Sequence, residues 1–145
     1  MTYRELAQEL MKYLLRMSPR PKNAPRLEKD RGEVMALAYL NEFKDGATPG
    51  ELAKFGGVST ARIATVLNSL EKKGFITRSV DPDDRRKVVV NVTPDGKAYS
   101  DMHKERRLQH LTKMMEYLGE EDAQHHIRIM KRLNEFYAEL EEKEC

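Results

Sequence analysis

The chain has 145 residues, of which 34% are charged and 7% aromatic, with no tryptophan and a formal net charge of +2. This length suits one domain with a modest core, and so small a net charge excludes binding of polyanions through overall charge alone.

The single cysteine, Cys145, excludes an internal disulfide framework. We therefore expect a reducing, cytoplasmic environment. We also expect no membrane partner, because no apolar run approaches the roughly 20 residues of a membrane span and the charged N-terminus does not resemble a signal peptide.

Charge is distributed unevenly along the chain. Residues 1–31 carry eight basic and four acidic side chains, and residues 48–93 carry eight basic and five acidic ones. Residues 119–145 have the opposite balance, with four basic and eight acidic side chains. The two basic segments can therefore attract an anionic partner that the C-terminal segment repels.

The first half of the chain begins with two predicted helices. Apolar spacing predicts a helix with one apolar stripe over residues 3–17, and a helix that is apolar on nearly every side over residues 28–44. Residues 18–25 contain three prolines in eight positions, which predicts a loop. This basic loop is either a solvated connector or an accessory contact to phosphates.

A helix-turn-helix follows. Residues 48–51, Thr-Pro-Gly-Glu, combine an N-cap, a proline at the first helical position and an acidic residue three places after the cap. We expect a short helix over residues 49–55, a tight turn at Gly56-Gly57, and a second helix over residues 60–73 capped by Ser59. Two helices joined by a glycine turn of this length are typical of a helix-turn-helix.

The second helix has two distinct faces when it is projected at 100° per residue. Its core face holds Ile63, Val66, Leu67 and Leu70. Its other face is small and polar, so it can approach a DNA groove closely, and Thr, Asn and Arg side chains can bind base edges or phosphates there. The predicted recognition residues are Ser59, Thr60, Arg62, Thr65, Asn68 and Ser69. The alternative is an ordinary solvated helix face.

Two alternating segments, residues 75–80 and 87–92, predict a pair of β-strands. The loop between them contains three acidic residues followed by basic ones, which is typical of a wing whose arginines enter a narrow minor groove. The predicted wing residues are Asp84, Arg85, Arg86 and Lys87. We expect an aspartate two places before an arginine to orient the guanidinium. The alternative is a salt-bridged hairpin without a partner.

The C-terminal third predicts two helices. The first starts at Thr93-Pro94 and runs to about Leu118, Gly119 breaks it, and the second covers about 120–142. The second carries one predicted stripe, formed by Ile127, Met130, Leu133, Phe136 or Tyr137, and Leu140. Together with the stripe at the N-terminus, these helices predict a bundle between two subunits. Packing within one chain is the alternative.

The segment LEKKGFITRSVDPDDRRKVVVNVTPDGKA, residues 70–98, resembles the MarR family of winged helix-turn-helix transcriptional regulators. The family's Asp-x-Arg wing motif corresponds to Asp84-Arg85-Arg86, and its Thr-x-x-Gly helix start to residues 93–96. The resemblance covers the whole order of helices. In the recognition helix, the family often has arginine where this chain has Thr65 and Ser69, so relatives do not indicate the operator sequence.

The resemblance implies a mainly α fold with a β-hairpin wing. It places the winged helix-turn-helix DNA-binding lobe at residues 32–93 and a helical dimerisation region at residues 1–31 and 94–145. It implies a homodimeric repressor that binds double-stranded DNA at a pseudo-palindromic operator, with two recognition helices about 34–36 Å apart. Many members of the family also respond to a small-molecule effector. The alternative is a winged-helix module that binds another protein.

Other functions have little support in the sequence. The N-terminal cysteine of the family's peroxide sensors is absent. His103 and His110 are seven residues apart and His125 and His126 are adjacent, so neither pair has the spacing of a helical zinc chelate. We therefore expect no metal and no cofactor. No nucleophile–base pair or phosphate-binding loop is recognisable, and we expect a protein that is not an enzyme.

Overall fold

The computed structural model describes the backbone of residues 1–16, 29–43 and 46–144. Within these ranges the helices and strands are α1 (Tyr3–Arg16), α2 (Lys29–Phe43), α3 (Pro49–Gly56), α4 (Thr60–Lys72), β1 (Ile76–Val80), β2 (Val88–Val92) and α5 (Pro94–Glu144). The prediction of a mainly helical fold with one β-hairpin is confirmed. The predicted loop at residues 18–25, the helix ends at 17, 28 and 44, and Cys145 lie outside the described residues.

The chain divides into two compact units. We call Pro19–His103 the hairpin unit, and Met1–Ser18 together with Lys104–Cys145 the terminal unit. The hairpin unit has a core formed by α2, α3, α4 and the strands. Its buried members are Ala36, Leu37, Leu40, Ala47, Leu52, Ala53, Ile63, Val66, Leu67, Leu70, Ile76 and Val90. All four residues predicted for the core face of α4 are among them.

The two strands pair antiparallel, with Ile76 opposite Val92 and Val80 opposite Val88. Ala47 adds a bridge on the other side of β2: its N–H donates to the Val90 carbonyl at 3.0 Å and its carbonyl accepts from the Val90 N–H at 2.7 Å. Burial decreases from Val90 towards the tip. The strand pair is therefore anchored at its base while its loop extends into solvent.

Thr93 joins the end of the hairpin to the start of α5. Its hydroxyl donates to the Gly74 carbonyl at 2.7 Å and accepts from the Gly96 N–H at 3.1 Å. A Cβ atom on Gly96 would lie 2.9 Å from the carbonyl carbon of Phe75 and closer still to its oxygen. The Thr-x-x-Gly pattern therefore combines a helix cap with a backbone crossing that has no space for a side chain.

The terminal unit packs α1 against α5 residues beyond 103. Its buried residues are Leu6, Ala7, Leu10, Met11, Leu108, Leu111, Met115, Ala123 and Ile127. Gly119 interrupts α5 with φ 82° and ψ 164°, so the predicted break is confirmed. Arg4 pairs with Glu105 at 3.0 Å, and the Asn134 amide donates to the Tyr13 carbonyl at 3.0 Å near the end of α1.

The single stripe predicted for the last helix is wrong, because the structure divides its members between two faces. Ile127 is buried and Met130 is partly buried in the core of the terminal unit. The other face forms an exposed apolar stripe, with exposed fractions of 49% for Ile129, 38% for Leu133, 53% for Phe136 and 40% for Leu140. The apolar residues lie on two neighbouring faces of one helix, and sequence spacing alone merges them into one.

The described part of the chain contains no helix with both the length and the apolar character needed to cross a membrane.

Candidate nucleic-acid interface

Capping residues fix the geometry of the helix-turn-helix. The Thr48 hydroxyl accepts from the Glu51 N–H at 3.2 Å, and the Ser59 hydroxyl accepts from the Arg62 N–H at 3.1 Å. Gly57 closes the turn in the left-handed conformation, with φ 62° and ψ 35°. Other residues adopt this conformation at a cost of about 1–2 kcal/mol. The start of α4 is therefore set by local interactions that the sequence predicts.

The outward face of α4 is exposed. Thr60, Thr65 and Asn68 are exposed, whereas Arg62 and Ser69 are partly exposed at its flanks. Two of its polar groups also bond within the protein. The Thr65 hydroxyl donates to the Ala61 carbonyl at 3.2 Å, and the Asn68 side-chain oxygen accepts from Arg78 at 2.8 Å. The structure thus brings the predicted recognition residues onto one surface and restricts the hydrogen bonds that some of them can offer.

Arg78 of β1 is part of this surface, although the sequence did not indicate it. Its Nε donates to Glu71 Oε2 at 3.1 Å and its Nη2 donates to Glu71 Oε1 at 3.0 Å. The hydrogen bonding from Arg78 holds the pKa of Glu71 below its ordinary value. The sequence does contain a signal, since the turn at Gly74 must bring the last turn of α4 close to β1. Strand alternation does not show, however, which way Arg78 faces.

Asp84 organises the backbone of the wing. Its side chain accepts from the Arg86 N–H at 3.0 Å, and its carbonyl accepts from the Lys87 N–H at 3.0 Å. The Arg86 side chain is 95% exposed, with Nε 3.7 Å from the Asp84 carboxylate, which is too long for a hydrogen bond. Asp84 therefore shapes the turn more than it holds the guanidinium. Arg85 and Lys87 are also exposed, so all three basic residues extend into solvent.

An ion pair with one buried partner ties the end of α4 to α2. Glu33 of α2 is 2% exposed, and its Oε2 accepts from Lys73 Nζ at 2.7 Å. Lys73 is also the C-cap of α4. Within the apolar pattern of α2, the sequence gives no indication that this carboxylate has a partner 40 residues away. The pair connects the end of α4 to α2.

Comparison with known proteins finds relatives of this arrangement. The profile of the MarR family matches residues 31–88, which run from α2 to the start of β2. The HTH-type transcriptional repressor YetL of Bacillus subtilis is 29% identical over 105 residues, which cover 72% of this chain and 63% of YetL. The uncharacterized regulator YcgE of the same organism is 40% identical over 58 residues, or 40% of this chain and 37% of YcgE.

The winged helix-turn-helix of this chain, residues 31–88, is similar to the MarR family.

The fold agrees with this similarity. The crystal structure of Streptococcus pneumoniae FabT in complex with DNA superposes with a TM-score of 0.65 at 27% identity, covering 74% of this chain and 75% of FabT. The chain spans less than two thirds of the length of the two curated relatives described above. The matched residues include the Glu33–Lys73 pair, the bonded side chains Asn68, Glu71 and Arg78, and the basic residues of the wing. In the described residues of this chain, no three His, Cys, Asp or Glu side chains are grouped so that they could hold a metal ion.

Proposed function

We propose that the protein is a sequence-specific regulator of transcription that binds double-stranded DNA. The observation that carries this proposal is the presence of two complementary surfaces in one compact unit. These surfaces are the small polar face of α4 and the exposed basic residues 85–87 beside it. A helix of this kind fits the major groove, while arginines on a wing fit the minor groove and the phosphates.

We further propose a homodimeric repressor acting at a pseudo-palindromic operator. An exposed apolar stripe supports this; it consists of Ile129, Leu133, Phe136 and Leu140. In a two-fold dimer, the same stripe on a second copy would pack against it, and both stripes would be buried. Two recognition helices on a two-fold protein read two half-sites of a two-fold operator. Repression is supported by the relative YetL, which is named as a repressor, and DNA as a partner by FabT, which was crystallised with DNA.

The wing tests DNA binding. We expect Arg85→Ala and Arg86→Ala each to weaken binding of a selected duplex, because each removes an exposed cation. The slope of log affinity against log salt should fall by about 1 for each phosphate that the variant no longer neutralises. Fluorescence anisotropy titrations at several salt concentrations measure both quantities. Arg128→Ala is the control, since it removes an exposed cation from the terminal unit.

Two results would contradict these assignments. Equal affinities for the wild type and both wing variants at moderate salt would show that the wing does not contact DNA. Failure of the wild type to bind any duplex in a salt-dependent way, together with capture of a protein partner, would favour the protein-interaction module instead.

We also propose that a small aromatic or lipophilic molecule releases the DNA. This proposal rests on the resemblance to the MarR family. Adding a panel of such compounds to the protein–duplex complex tests this through loss of anisotropy. A panel in which no compound lowers the anisotropy of the complex would contradict this class of effector.

A further inference from the structure

The side chain of Asn68 has a fixed orientation on the outer face of α4. Its Oδ1 accepts from Arg78 Nη2 at 2.8 Å. The oxygen and nitrogen ends of an asparagine amide look alike in outline, but a guanidinium contains only N–H donors. The end of the amide that faces Arg78 must therefore be the oxygen. The NH₂ end is the part of Asn68 that remains to donate to an outside ligand.

Arg78 is itself held in place. Two of its N–H groups form a fork with the carboxylate of Glu71, at 3.1 and 3.0 Å. Paired hydrogen bonds between a guanidinium and a carboxylate restrict rotation as well as distance. Because Glu71 lies three residues after Asn68 on the same helix, the fork positions Arg78 against the Asn68 oxygen. The three side chains thus form a cluster between α4 and β1.

We propose that Arg78, positioned by Glu71, sets the hydrogen-bonding polarity of Asn68 and makes it select a keto base at the base pair that α4 presents to it. This proposal rests on the proposed DNA-binding function. Guanine and thymine carry the major-groove acceptors O6 and O4, whereas cytosine and adenine carry N–H donors at the corresponding positions. An NH₂ group that faces the groove can donate a hydrogen bond to a keto oxygen, whereas it would place one donor against another at an amino group.

An unrestrained asparagine would have a different preference. It pairs with adenine by donating to N7 and accepting from the N6 amino group at the same time. In this protein the accepting oxygen already bonds to a cation, which makes a second donor at that oxygen less favourable. Arg78 therefore changes the base that Asn68 prefers, without contacting the base itself.

Selection of bound duplexes from a random pool tests the proposal, with the wild type, Asn68→Asp and Arg78→Met compared in parallel. The wild type should show a guanine or thymine preference of about fivefold or more at one position of each half-site. In Asn68→Asp, the carboxylate still accepts from Arg78 but offers an acceptor to the groove. The same position should therefore change to cytosine or adenine. In Arg78→Met the amide is free to rotate, and the preference at that position should shift towards adenine.

Arg85→Ala is the control, because it removes a cation from the wing and should lower affinity without changing the preferred base. If neither Asn68→Asp nor Arg78→Met alters base preference at any position while the wild type selects a clear motif, the proposal is overturned and DNA binding stands. If the wild type selects no motif, the proposed function fails together with it. Circular dichroism checks folding, and if Arg78→Met does not fold, the conservative Asn68→Asp variant decides alone.

Discussion

Gly96 lies where the first turn of α5 crosses the start of β1. A Cβ atom there would meet the backbone of Phe75 and a methyl group of Val92, which is 2.9 Å away. A flexible side chain can rotate away from such a contact, but a carbonyl group can move only with its strand. The glycine of the Thr-x-x-Gly pattern is thus explained by packing between two backbones.

At this residue we expect Gly96→Ala to lower the free energy of unfolding by about 1–3 kcal/mol, because the added methyl group overfills the crossing. Urea denaturation measures the change. Gly50→Ala is the matched control: the nearest atom to its new Cβ would be the Thr48 hydroxyl at 3.8 Å, so it should stabilise the protein by about 0.4–1 kcal/mol. Equal stabilities for the two variants would show that the crossing tolerates a side chain.

Helix α4 is connected to its neighbours by polar contacts that differ in burial. The Glu33–Lys73 pair connects it to α2 through a carboxylate that is 2% exposed. The Asn68–Arg78 bond connects it to β1 at the surface. A hydrogen bond between charged groups contributes more when one partner is shielded from water. The first contact should therefore matter more for stability, and the second for recognition.

Lys73→Met should accordingly lower the free energy of unfolding by about 1.5–3 kcal/mol, since it removes a charged donor from a buried carboxylate. Lys72→Met is the control, because Lys72 is the exposed neighbour in the same last turn. Its replacement should cost about 0.3–1 kcal/mol through the helix dipole. Chemical denaturation of both variants separates the two effects. A cost for Lys73→Met no larger than that for Lys72→Met would contradict a structural role for the pair.

How much of these elements the sequence predicts depends on the range of the interactions involved. The caps at Thr48 and Ser59 are predictable because each acts within three residues of chain. The Ala47 bridge and the Arg78 cluster were not predicted, since they depend on how segments pack side by side. The division of the last helix into a buried and an exposed face was also not predicted, because it depends on the position of α1.

The terminal unit contains an exposed ion pair, Arg4–Glu105, that links α1 to α5. The hydrogen bond from Arg4 holds the pKa of Glu105 below its ordinary value of 4.5. A carboxylate with a lowered pKa in the folded state contributes stability above its unfolded pKa and loses it as the pH falls through the folded one. We expect Glu105→Gln to lower Tm at pH 7, and the difference from the wild type to disappear well below pH 4.5. A Tm difference that does not change with pH would contradict this account.

For the whole molecule, the exposed stripe on α5 is the test of dimerisation. We expect Phe136→Glu to shift the protein from dimer to monomer in sedimentation velocity experiments, because the new charge would be buried between two apolar stripes. Ala138→Glu is the matched control: with 3.6 residues per turn, this exposed position lies on the opposite side of the same helix.

The Phe136→Glu monomer should also bind a full operator more weakly than the wild type while binding a half-site equally well, because the recognition residues are unchanged. A Phe136→Glu protein that stays dimeric would exclude this stripe as the interface, and a wild type that sediments as a monomer would exclude the dimer itself.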